Sequence, residues 1–161
     1  NFMKKITKQL LLFSDYQNDN EIIFNNKNDV RTGDAGQKIA EGILQKHGIN
    51  TCRAAEGLTY DTIAEVNIYG KTKFIRIQTK TKSKSSKSMS YTFTKGYHRS
   101  YTGAKPYDAD DYDISCCVNL ADVKVLFSPG VVKSLTWSRS VFLRNNADIE
   151  SWENSIKQIN K

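Results

Sequence analysis

One α/β domain, with a mixed central β-sheet flanked by helices, is the fold class this sequence predicts. Three observations carry the prediction. A helix-period segment opens after Thr32-Gly33-Asp34, several strand-like segments follow, and a second helix-period segment closes the chain. The 161 residues suffice for one compact core and leave no room for a second of ordinary size. Two late apolar runs, Ile114–Leu120 and Val123–Phe127, read as strands buried on both faces.

Each element has a local reason. Residues 1–31 are polar and Asn-rich apart from the cluster Ile6–Phe13, and are expected to be an arm or extension; residues 32–161 are the domain. Asp34 can cap the first helix with Gln37 as its capping-box partner. Ile39, Ala40, Ile43 and Leu44 then follow at helical spacing, and Gly48 ends the run. Strands are expected over Asn50–Ala54, Tyr60–Val66 and Lys73–Lys80, the last two joined by a turn through Tyr69-Gly70. Thr81–Ser90 has the Ser/Lys composition of a flexible loop, and Tyr91–Thr94 reads as another strand. An acidic turn, Asp108–Asp113, precedes the buried pair, which Ser128-Pro129-Gly130 stops. Asp148 is placed to cap a last helix with Ile149, Trp152, Ile156 and Ile159 on one side.

Composition narrows the function. The longest apolar run, Leu10-Leu11-Leu12-Phe13, is far below the roughly 18 residues of a membrane span, and no secretory h-region follows Lys4, Lys5 and Lys8. Cys52, Cys116 and Cys117 cannot all pair and lack metal-ligand spacing, so a reduced, cytoplasmic protein without membrane association is expected. The charge is unevenly spread. Val66–Tyr107 contains no Asp or Glu but ten cations: Lys71, Lys73, Arg76, Lys80, Lys82, Lys84, Lys87, Lys95, Arg99 and Lys105. Against a chain total of +7, the remainder carries 7 − 10 = −3. A one-signed block of this size suits a polyanion such as DNA, since phosphate contacts supply most nucleic-acid affinity. Aromatic side chains interleave the block, and Tyr91 and Phe93 among them are expected more as sheet packing than as base-stacking surfaces.

The hairpin concentrates the chemistry. With its turn centred half a residue to either side of Gly70, Asp61 lies opposite Gln78 or Lys80. Opposed residues of an antiparallel pair project to one face with Cβ atoms roughly 5 Å apart, and Gln78 and Lys80 share that face. A carboxylate, an amide and an ammonium are thereby expected in one patch at a strand end. Asp61, the Gln78 side-chain oxygen and the Thr79 carbonyl offer hard oxygen ligands to Mg²⁺, with Mn²⁺ as a substitute, and Lys80 can steady developing charge on a phosphate. The acidic turn, by contrast, is expected to be a solvated, capped turn rather than a metal site. His98 is placed to touch phosphate, and His47 to meet helix-end carbonyls.

Order and spacing extend the case. Thr32–Gly48, Tyr60-Asp61-Thr62-Ile63-Ala64 and Phe74-Ile75-Arg76-Ile77-Gln78-Thr79-Lys80-Thr81 together resemble the first helix, strand-start aspartate and (D/E/Q)-x-K strand of PD-(D/E)XK nucleases. The Ile-Gln-x-Lys-Thr form is similar to a branch that includes a cyanobacterial intron-encoded homing endonuclease, and Tyr107–Pro129 resembles that branch's later strands. The resemblance implies a restriction-endonuclease-like core and Mg²⁺-dependent, site-specific cleavage of double-stranded DNA, with restriction or junction-resolving enzymes on the same core as alternatives. It also implies catalytic roles for Asp61, Gln78, Lys80 and Gln37, and DNA contacts from Lys82, Lys84, Ser85, Ser86, Lys87 and Arg99. Because cutting both strands needs two sites, a homodimer or higher symmetric oligomer is expected. One position departs from the pattern. Gln37 stands where the family carries an acid: the chain is read as inactivated there, as compensated by Glu41 or Glu65, or as a DNA-binding module that does not cut.

Overall fold

The computed structural model describes residues 29–96 and 103–160. Of the arm expected over residues 1–31, residues 1–28 lie outside them, as do His98 and Arg99, while residues 29–31 belong to the first helix. Helix α1 spans Asp29–Lys46 and is followed by β1 (Asn50–Arg53), β2 (Thr62–Ile68), β3 (Lys71–Lys82) and β4 (Ser88–Thr92). Then come β5 (Thr94–Lys95), β6 (Lys105–Pro106), β7 (Ile114–Asn119), β8 (Lys124–Pro129) and β9 (Ser134–Ser138). Helices α2 (Arg139–Leu143) and α3 (Ala147–Ile159) complete the chain.

The core is a five-stranded sheet of order β1-β2-β3-β7-β8, antiparallel except for the β3–β7 pair. The mixed sheet flanked by helices is therefore as expected. At the β2–β3 hairpin, Tyr69 and Gly70 both take positive φ (52° and 78°), the two-residue primed turn that matches strand twist, and Asn67 Oδ1 accepts the Gly70 N–H at 2.9 Å. That turn sets Thr62 opposite Ile77 and Ile68 opposite Lys71.

Alternation along the strands sends alternate side chains to two different cores. On one face, Ala40 and Leu44 of α1 and Trp152 of α3 pack against Ala64, Ile75, Ile77, Cys116, Val118 and Phe127. Burying a side chain such as Leu44 contributes roughly 1.5–3 kcal/mol, so the two helices are held mainly by this face. On the other, Tyr91, Phe93, Tyr112 and Phe142 cover Cys117 and Leu126. The adjacent cysteines thus point to opposite sides of β7, as packing residues do. Helix α1 lies tight against β3 at Gly36, where an added Cβ would lie 1.9 Å from Thr81 Oγ1.

Several boundaries differ from the sequence expectation. Asp34 does not cap α1: the helix begins five residues earlier, and Asp34 instead accepts a bond from Arg53 Nη2 at 2.6 Å. Gly33 failed to stop the helix because an exposed glycine costs a helix only about 1 kcal/mol. Gly48, at φ +78°, does end it. Asp148 is likewise inside its helix, behind an Asn146 cap in the left-handed region. It faces His47 across 3.4 Å, which takes that imidazole away from the helix-end carbonyls. The expected loop Thr81–Ser90 shrinks because Thr81 and Lys82 pair with Val118 and Asn119, while Ser88 and Met89 pair with Ser138 and Trp137. Strand β9 and helix α2 were not anticipated, since β9 finds its partner some 46 residues upstream. Among the described residues, no helix is long and apolar enough to cross a membrane.

Candidate active site at the strand tips

The primed turn has a consequence eight residues along each strand. Counting back from Thr62↔Ile77 places Asp61 opposite Gln78, one of the two registers compatible with the hairpin. Strand β2 begins only at Thr62, so past that point β3 has lost its neighbour and its amides need other acceptors. Asp61 supplies one: its Oδ2 accepts the Thr79 N–H at 2.7 Å and the Gln78 Nε2 at 2.8 Å. The Asp61 N–H in turn donates to the Ile77 carbonyl at 2.9 Å. The same amide nitrogen of Gln78 lies 3.3 Å from the Thr79 carbonyl oxygen.

Asp61, Gln78 and Lys80 open together on a cavity of about 430 Å³, whose lining also includes Lys95, Lys105 and Tyr107. Lys80 Nζ sits 5.6 Å from the centre of the Tyr107 ring, which itself packs edge-on against Tyr112 at 5.1 Å. Burial raises the Asp61 carboxyl above its ordinary value, against the opposing pull of the Thr79 N–H and the Lys80 charge. Burial also lowers the Lys80 ammonium, only partly offset by Asp61. Both groups are therefore disfavoured in their charged forms by the same wall, which is how functional groups are commonly tuned.

Helix α1 reaches this corner from the opposite side of the sheet. Gln37 is 7% exposed, and its Nε2 donates to the Asp61 carbonyl (2.8 Å) and to Glu41 Oε1 (2.9 Å). Thr62 Oγ1 also donates to Glu41 Oε1, at 3.0 Å. So Gln37 is no capping-box partner: it braces the backbone of the aspartate, and Glu41 comes with it. Glu65 is not in this group. Although it shares the Asp61 face by strand parity, four residues separate them, roughly 13 Å of strand, and it meets Asn50.

The proposed DNA-contacting residues stand on the same side of the molecule in part. Lys82, Lys84 and Lys87 are exposed and make no ion pair among the described residues. Ser85 Oγ donates to Asp122 at 2.7 Å, and Ser86 Oγ donates to the Ser88 carbonyl. Arg139, Ser85 and Asn119 together hold the Asp122 carboxyl well below the usual carboxylate range. The acidic turn is not a ligand cluster: Asp113 is forked by Arg76 (Nη2–Oδ1 2.8 Å), and Asp111 and Asp108 hold Lys95 at 2.8 and 3.3 Å. Among the described residues, no group of three or more His, Cys, Asp and Glu is disposed to hold a metal. Tyr107, Lys95 and Lys105 escaped the sequence reading as cavity residues. Their only signal was membership of the cationic block, since they reach the site through a fold-back from another part of the chain. A larger cavity of about 530 Å³ beneath α3 holds Arg144 and Glu150, which bond one another at 2.7 Å.

Fold and geometry thus define a class: a mixed α/β domain with a carboxylate, an amide and an ammonium clustered where two strands part. No protein-family model matches the sequence, and no curated protein matches it. Among solved structures, the fold is similar to that of a bacterial homing endonuclease, I-Ssp6803I. The TM-score is 0.56 over 83% of this chain and 95% of that one, at 16% sequence identity.

Proposed function

We propose that this chain is a DNA endonuclease of the PD-(D/E)XK type, hydrolysing phosphodiester bonds of double-stranded DNA with Mg²⁺ at sites it selects, as a homing enzyme does. One observation carries the reading. The Asp61–Gln78 register, in a fold similar to that of a homing endonuclease, brings Asp61, Gln78 and Lys80 to one cavity beside a strongly cationic segment.

The oxygen donors fit a hard divalent ion. The Gln78 amino group lies between Asp61 Oδ2 and the Thr79 carbonyl, so two oxygens already converge on one electropositive group. A half-turn of that amide presents Oε1 in place of the nitrogen, giving carboxylate, amide and peptide oxygens of the kind Mg²⁺ and Mn²⁺ accept. With a single carboxylate in the set, phosphate and water complete the shell. When bound there, the ion would polarise a phosphate oxygen and make a water more acidic.

The chain's own groups do the rest. Lys80, half-buried and steadied over Tyr107, is positioned to donate to the oxygens on which negative charge grows. Asp61 fixes the Thr79 amide and holds the strand tip open. Lys82, Lys84 and Lys87, with Ser85, Ser86 and Arg99, supply contacts to the duplex on either side of the cut. One such cluster per chain cuts one strand, so a symmetric homodimer or higher oligomer cuts both.

A second reading has its own support. Gln37, standing where the resemblance calls for an acid, braces the Asp61 backbone with a neutral amide and adds no carboxylate, which favours a module that binds DNA without cutting it. Plasmid cleavage in Mg²⁺ by the chain, Gln37→Glu and Lys80→Ala separates the two. We expect cutting by the chain or by Gln37→Glu, and loss of it when Lys80→Ala is added. Cleavage that survives Lys80→Ala intact contradicts the nuclease assignment of this cluster. Salt-sensitive binding with no nicking even in Gln37→Glu supports the non-cutting module.

A further inference from the structure

The ribbon β5–β6 is built against electrostatic preference. It has two residue pairs, Thr94↔Pro106 and Lys95↔Lys105, so two ammonium groups stand directly opposite each other across antiparallel strands. Like charges so placed repel and destabilise a pair. Nothing local requires this arrangement, yet both side chains line the cavity that contains Asp61, Gln78 and Lys80.

The surroundings treat the two lysines differently. Lys95 is held by Asp111 at 2.8 Å, and Asp111 is itself 14% exposed in its side chain and accepts the Asp108 N–H at 2.7 Å. The Asp111 carbonyl further accepts Thr59 Oγ1 at 2.7 Å. This contact anchors the ribbon. Asp108 is different: its side chain is 79% exposed, its 3.3 Å contact with Lys95 is longer, and its carboxylate is not otherwise engaged as an acceptor among the described residues. Lys105 is exposed and has no acidic partner among the described residues. An uncommitted ammonium therefore faces one whose second acidic contact is a loosely held, exposed carboxylate.

We propose that Lys95 and Lys105 form a clamp for a backbone phosphate of nucleic acid next to the one at Asp61, and that this phosphate displaces the Asp108 carboxylate. The inference rests on the nuclease reading for the identity of the polyanion, and deepens it by assigning a second phosphate position in the same cavity. A phosphate between the two lysines removes their repulsion. Asp108 holds the position in its absence, through a single exposed contact of 3.3 Å to Lys95. Asp111 stays in place and keeps the ribbon folded.

The test is fluorescence anisotropy of a labelled random-sequence 30-base-pair duplex in EDTA, where no cutting occurs, over a range of salt concentrations. The full chain is compared with Lys105→Gln, Asp108→Asn and Lys82→Gln. Each phosphate contact contributes about 0.9 to the slope of log affinity against log salt. Lys105→Gln is expected to lower the steepness by about that amount. Asp108→Asn is expected to tighten binding about two- to fivefold at low salt, the factor that an exposed ion pair can withhold. Lys82→Gln, on β3 and outside the cavity lining, leaves the Asp108→Asn gain intact. Because Lys105 has no acidic partner among the described residues, its replacement leaves the Lys95–Asp111 anchor of the ribbon untouched, and circular dichroism checks this directly. If the chain binds DNA but Lys105→Gln keeps the full slope, or Asp108→Asn does not tighten binding, the clamp is refuted while the nuclease reading stands. If the unaltered chain does not bind duplex at all, both fall.

Discussion

Replacing Gly36 by alanine puts a Cβ into a tight contact between α1 and β3. The new atom would sit 1.9 Å from Thr81 Oγ1, 2.7 Å from Cγ2 and 2.8 Å from Cβ, where ordinary contacts begin near 3.4 Å. Rotating Thr81 exchanges its hydroxyl and methyl but leaves its Cβ in place, so α1 itself has to move. Overpacking of this kind costs about 1–3 kcal/mol. Alanine recovers about 1 kcal/mol of helix propensity, so the net loss is about 0–2 kcal/mol. Gly42 in the same helix is the control: it is exposed, with nothing within 4 Å of its Cβ position, and Gly42→Ala is expected to stabilise by about 1 kcal/mol. Propensity cancels between the two variants, which isolates the steric cost as a gap of about 1–3 kcal/mol. Urea denaturation resolves that gap as a midpoint difference on the order of 1 M. Thr81→Ala removes Oγ1 and Cγ2 but leaves Cβ 2.8 Å away, and is expected to recover part of the gap in the double variant, a coupling of about 0.5–3 kcal/mol. The substitution also lifts the neighbouring Gln37 from the Asp61 carbonyl. If Gly36→Ala stabilises as much as Gly42→Ala, the close approach, and with it the placement of Gln37, is wrong.

Two further outcomes follow from the buried charges. Burial raises the Asp61 carboxyl, so the folded state prefers the protonated form: the favourable contribution is complete below the unfolded value near 3.8 and is lost as pH rises through the folded one. At pH 7 the ionised group is a net cost, and Asp61→Asn is expected to raise stability while abolishing cleavage; equal or lower stability in urea at pH 7 contradicts this. Asp113 behaves oppositely. Burial pushes its carboxyl up, but the Arg76 fork outweighs this and holds it below the ordinary value, so its contribution is present above about pH 3.8 and vanishes as pH falls below that. Asp113→Asn is expected to cost about 0.5–1 kcal/mol at pH 7, the pair being partly exposed, and to flatten the loss of melting temperature below pH 4; a melting curve as acid-sensitive as before would rule out the Arg76–Asp113 fork as its source.

What could be read directly from the residues was governed by short-range geometry. Tyr69-Gly70 is a turn decided by neighbouring dihedrals, and strand alternation from it left Asp61 two partners eight or ten residues on, Gln78 or Lys80, of which the folded hairpin takes Gln78. The Ile114–Asn119 strand was legible for a similar reason, because an unbroken apolar run has few other places to go. What the tertiary structure alone decided depends on groups far apart in sequence. Gln37 looked like a cap because a cap is a local motif; its actual partner is a carbonyl 24 residues away. Strand β9 had no local excess of strand signal and exists because β4 offers it a ladder. Lys95 and Lys105 became cavity residues only when the acidic turn drew their ribbon over the strand tips. Periodicity and turn chemistry act over one or two turns of chain, whereas these contacts form only once the sheet has brought their partners together, and no local pattern encodes that distance.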